Sequence, residues 1–214
     1  MENRPIKEEL RERSSETLAR LSPHLFLFAS VILLVAALHR GATFLLDGVS
    51  HNSWVSLMKL FGRLAALLGI SGLSLRISQR APRLGKMSQT VASAAVLFTL
   101  ALIILVTAEN IGFTLGFVPV VGLGTFLLSV GTYSLSGIAI VRTEAHPVLI
   151  GKLLLAAAVS LLAVFFGMIF LPINWIGVII EAMLFLLYLG IGYSIRTGNG
   201  IAVGRSQRRT RSRD

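Results

Sequence analysis

The chain has 214 residues, 54% of them hydrophobic and only 14% charged, against about 25% charged in an ordinary soluble domain. With a mean hydropathy of +0.79, a soluble fold this short has too little interior for its apolar side chains, which excludes a water-soluble enzyme or binding domain. The formal net charge of +10 then reads as the basic cytoplasmic loops of a membrane protein rather than as a nucleic-acid surface, and the absence of cysteine excludes disulfides, thiolate metal sites and cysteine nucleophiles.

Residues 1–23 read as a charged cytoplasmic tail. A short helix is expected over 5–21, supported by the i,i+4 pairs Glu9/Arg13 and Glu16/Arg20. This charged lead-in is long for a signal peptide, and no small-residue cleavage site follows it, so the first apolar run is read as a retained span. Six such runs follow in chain order, at 24–46, 54–76, 88–108, 115–141, 148–171 and 173–195. Each exceeds the ~20 residues that a helix needs to cross the hydrocarbon core. They lack period-2 alternation and are twice a barrel strand in length, so helices are expected. The fold class read from the sequence is therefore all-α, a polytopic bundle of six transmembrane helices with short connections.

Orientation follows from lysine and arginine. Seventeen of the 20 lie in the N-terminal tail, around the second and fourth connections, and in the C-terminal tail. The first, third and fifth connections carry none. This alternation places both termini in the cytoplasm, giving a multi-pass protein of the cell membrane. Residues 196–214 contain Gly198, Gly200 and Gly204, then Arg205, Arg208, Arg209, Arg211 and Arg213. That composition is expected to be disordered and to bind anionic lipid headgroups.

The second and fourth connections share a pattern. Arg76, Pro82, Gly85 and Lys86 stand against Arg142, Pro147, Gly151 and Lys152. A repeated two-helix hairpin would produce it; so would the general habit of cytoplasmic turns to read Arg, Pro, Gly, Lys. Small residues recur at helical spacing on the second span, at Gly62, Ala66 and Gly69 with Ala65 and Gly72 flanking, and Gly112 and Gly116 open the fourth. Such faces let helices approach closely, within the chain or towards a protein partner or second copy. Thr125, Ser129, Thr132 and Ser136 form one polar stripe on the fourth span. Hydroxyls so placed usually bond the preceding turn or a neighbouring helix, and less often line a water-filled path.

The three cations not at the cytoplasmic side, Arg40, Lys59 and Arg63, lie within spans, as does Glu181. Charges at such depth are costly and face a partner or a cavity. By helical rise Arg63 and Glu181 sit at similar depth, about 12–13 Å below the outer surface. Asp47, His51, Glu109, Asn110 and Asn174 fall at the outer mouths. The candidate site is thus a polar pocket of Arg40, Lys59, Arg63, Glu109 and Glu181, with Glu181 neutralising Arg63 at its floor. A plainer account is a buried ion pair that fixes packing, while Lys59 and Arg40 snorkel to headgroups.

No catalytic constellation survives inspection. Gly69-Ile-Ser71-Gly72 resembles the Gly-x-Ser-Gly motif of the rhomboid intramembrane proteases, but the resemblance ends at those four residues: the last span carries no histidine to activate Ser71. The four histidines, His24, His39, His51 and His146, show no metal or haem spacing. No cofactor is expected. Three classes of function remain. The first is a small-solute or ion permease, channel or transporter subunit. The second is a non-catalytic scaffold, sensor or regulatory subunit. The third, an intramembrane enzyme, lacks converging chemical groups.

Overall fold

Backbone polar groups in lipid have no water to bond, so long apolar runs satisfy them internally as helix. The computed structural model describes residues 6–47, 53–113, 116–170 and 174–211. It contains six helices: α1 (Ile6–Asp47), α2 (Ser53–Arg80), α3 (Pro82–Asn110), α4 (Val118–Thr143), α5 (Val148–Phe170) and α6 (Asn174–Arg211). Each is long and apolar enough to cross a membrane, and the described residues include no strand. The protein is therefore an all-helical, multi-pass membrane protein.

Several helix ends differ from expectation. The tail helix and the first span are one helix, α1, which runs through Pro23. Proline removes one backbone bond, but in a membrane helix the neighbours limit that loss. Here Gly192 of α6 lies against the Pro23 carbonyl. The second connection shrinks to the single residue Ala81, because Pro82 opens α3 directly. Helical backbone also continues past the expected end at Ile195, to Arg211. A helix already nucleated in the span needs only propagation to continue, and no proline stops it.

Consecutive helices pack antiparallel, and α6 packs back on α1 to close a ring; α2 also touches α4. Glycines mark the closest approaches. Gly62, Gly69 and Gly72 of α2 face Ile32, Phe26 and Leu18 of α1, so the small-residue face of α2 is occupied within the chain. Gly137 and Gly151 bring α4 and α5 together: a Cβ on either would stand 2.9 Å from the other's carbonyl oxygen. Gly85 sits against the Ser78 backbone across the α2–α3 turn. The two turns that share a sequence pattern thus share a device, a glycine just after the proline that seats the new helix on the old one. Gly116 has open space around it.

Large apolar side chains such as Val31, Leu38, Leu97, Ile104, Leu127, Ile179 and Leu186 point outward. The interior holds Phe26, Leu67, Ile70, Tyr133, Ile140, Leu154 and Ile191, together with buried hydroxyls. In lipid, apolar chains lose nothing by facing out, and association rests on packing and on hydrogen bonds between small polar groups. The α4 stripe serves that end. Thr125, Ser129 and Thr132 donate to the carbonyls of Val121, Thr125 and Leu128, and Ser136 bonds Ser88 of α3 at 2.7 Å.

Candidate functional site: an embedded charge cluster

The antiparallel ring brings one residue from each of three helices to a common level. Arg40 lies seven residues before the end of α1, Lys59 six after the start of α2, and Glu181 seven after the start of α6. Each is therefore about 10 Å inside the same end of the bundle. Glu181 Oε1 accepts from Arg40 Nη1 at 2.9 Å and from Lys59 Nζ at 2.5 Å. Glu181 is the least exposed of the three, at 12% of its side chain. Gly177, one turn before it on α6, makes room for the guanidinium: a Cβ there would stand 2.3 Å from Arg40 Nη1.

The pairing differs from the expected Arg63–Glu181 contact. Depth counted along single helices placed Arg63 level with Glu181, but α2 is offset so that Lys59 occupies that level. Arg63 lies one turn deeper on the same face and has no ion pair among the described residues. Glu109 is not brought to the cluster. It is exposed at the end of α3, a helix that packs against α2 and α4. His51 lies outside the described residues, as do the side chains of Asp47, Asn174 and the tail arginines beyond Arg196.

Tyr133 and Tyr188 were not singled out in the sequence. Tyr188 is two turns below Glu181 on α6, and its hydroxyl meets that of Tyr133 at 2.5 Å. Their rings stack at 5.9 Å, and Phe26 packs edge-on to Tyr188 at 6.0 Å. This aromatic layer closes the site from beneath. Below it Ile70, Ile140 and Ile191 are fully buried, alongside the hydroxyls of Ser74, Ser88 and Ser136. One sequence signal pointed here: Tyr133 and Tyr188 are two of only three tyrosines in the chain.

Among the described residues three embedded cations accompany one embedded carboxylate, a surplus of two positive charges. Only one carboxylate oxygen is used, since Glu181 Oε2 is buried with no hydrogen-bond partner among the described residues. The arrangement has the electrostatics to hold an anion. Ser71, the residue of the short protease-like motif, donates to the Leu67 carbonyl at 3.1 Å. Among the described residues no three histidine or carboxylate side chains group closely enough to hold a metal ion.

The opposite end of the bundle carries a second polar constellation. Arg80 caps the C-terminus of α4 by donating to the carbonyls of Thr143 and Glu144. Beside it His146, buried in the α4–α5 turn, hydrogen-bonds the Leu73 backbone, while its Nε2 has no partner among the described residues. Burial, and then the neighbouring Arg76, hold its pKa down at about 4. Compared with models of known protein families, with curated proteins and with solved structures, the chain matches none of them, so its function has to be read from this geometry.

Proposed function

We propose that the protein is a small-solute or ion permease, or a subunit of a transporter, whose embedded cluster receives an anionic group. The carrying observation is the imbalance of charge. Among the described residues Arg40, Lys59 and Arg63 share one embedded carboxylate, Glu181, and uncompensated charge at that depth is too costly to keep without a compensating partner. By the positive-inside rule the cluster opens on the outer side of the cell membrane, and both termini and the basic turns face the cytoplasm. The arginines of the C-terminal tail then lie where anionic headgroups attract them.

The test is uptake of small oxyanions by proteoliposomes containing the full chain. Wild-type protein is expected to take them up, and the Lys59→Met/Arg63→Met double variant to lose most of that uptake. Absence of both uptake and binding for every oxyanion tried overturns the reading. A second reading, a non-catalytic scaffold, sensor or regulatory subunit, is favoured by the buried apolar side chains beneath Tyr133 and Tyr188 and by the hydroxyls of α4 bonding within the protein. It predicts binding of an anion without transfer across the bilayer.

A further inference from the structure

Two unfilled valences of opposite sense remain at the cluster. Arg63 is a cation with no ion pair among the described residues, and Glu181 Oε2 is a buried acceptor with no donor. Arg63 and Lys59 are one turn apart on α2, and Lys59 holds Glu181 through Oε1. An anion held between Arg63 and Lys59, neighbours on one face of α2, therefore lies beside the Glu181 carboxylate that Lys59 contacts. A fully deprotonated oxyanion sets oxygen against oxygen at Oε2. An ammonium donor would satisfy Oε2 but add a further cation beside Arg40 and Lys59. A neutral hydroxyl on the anion itself avoids both conflicts: its hydrogen goes to Oε2 and its charged oxygens to Arg63 and Lys59.

Building on the anion-receiving reading above, we propose that the site formed by Arg40, Lys59, Arg63 and Glu181 selects protic oxyanions, of the monohydrogen phosphate or singly protonated phosphomonoester type, over aprotic ones such as sulfate, with Glu181 Oε2 accepting the ligand's O–H. The doubly negative charge of monohydrogen phosphate equals the surplus of two positive charges at the site. Sulfate matches it in size and charge but carries no hydrogen at neutral pH, so the proton alone distinguishes the two. Sites built to bond a ligand hydroxyl reject the analogue lacking it strongly, because the buried acceptor is left empty.

Equilibrium dialysis of the purified full chain in detergent, with labelled inorganic phosphate and labelled sulfate at neutral pH, tests this. Phosphate is expected to bind roughly tenfold or more tightly than sulfate. Glu181→Gln, which puts an amide donor in reach of the ligand, is expected to narrow or invert that ratio. The wild-type ratio decides the matter even where this variant does not fold. Equal binding of the two anions overturns the selectivity while leaving the anion-receiving reading intact. Vesicles containing phosphatidic acid, set against phosphatidylcholine alone, separate the two sources of the same chemistry. Competition between phosphatidic acid and inorganic phosphate, or retention of phosphatidic acid where inorganic phosphate does not bind, assigns a lipid headgroup and supports the proposal. Failure of phosphate, sulfate and phosphatidic acid alike overturns both readings.

Discussion

Replacing Glu181 and replacing Lys59 are unequal changes, although the two residues touch. Lys59→Met leaves Glu181 bonded to Arg40, whereas Glu181→Leu strands Arg40 and Lys59 with no carboxylate between them. Removing the shared carboxylate leaves two part-exposed cations side by side without their counter-charge, whereas removing Lys59 leaves a paired one. Glu181→Leu is therefore expected to lower the thermal midpoint in detergent well below that of Lys59→Met, and the Lys59→Met/Glu181→Leu double variant to regain part of the loss. His146 makes a separate prediction at this scale. Its folded pKa, about 4, lies below the ordinary 6.5, so the folded protein favours the neutral ring. Its contribution is full above pH 6.5 and fades as pH falls towards 4, a difference of roughly 3 kcal/mol. Thermal midpoints measured from pH 7 to pH 4 should fall, and His146→Gln should flatten that slope. The charged residues themselves were legible in the sequence, because charge inside an apolar run is conspicuous. Their pairing was not: a shift of one turn between α2 and α6 exchanges Lys59 for Arg63, and spacing along one helix says nothing about another's offset.

The glycines separate contacts that matter from those that do not. A Cβ on Gly85 would stand 2.3 Å from Ser78 Cα, a backbone atom that cannot swing aside. Gly85→Ala should force α2 and α3 apart and cost about 3 kcal/mol, the upper part of the range for overpacking. Gly116→Ala meets nothing within 4 Å and should be silent in the same thermal assay. Gly177→Ala is of a third kind. The atom it meets is the mobile end of Arg40, so the side chain moves off Glu181 and folding is largely spared. Its expected signature is weakened anion binding with a nearly unchanged thermal midpoint. The helices were legible from composition because a long apolar run in lipid has one solution. Their ends were less so. Pro82 opens a helix where a longer turn was expected, α1 passes through Pro23, and α6 runs on to Arg211. Local propensity is weak at such places, and packing or propagation outweighs it.

For the whole molecule, the sharpest prediction concerns sidedness. The chain has no cysteine, so single cysteines report cleanly. Arg83 and Asn110, exposed near the two ends of α3, should label from opposite sides in intact cells, Arg83→Cys only after the cytoplasm is opened and Asn110→Cys from outside. Labelling of both from one side would contradict the six-span threading. The six spans were already legible in the sequence, since each depends on a sum over many residues, the total apolar length of its run. Such sums tolerate local error. What only the tertiary structure decided is which side chains meet. The closure of α6 on α1 carries Glu181 to Arg40, a residue 141 positions earlier in the chain, and the offset of α2 presents Lys59 to the same oxygen. Contacts of that kind depend on the rotation and height of whole helices, set by glycines and packing spread over the bundle, and no periodicity within one run encodes them.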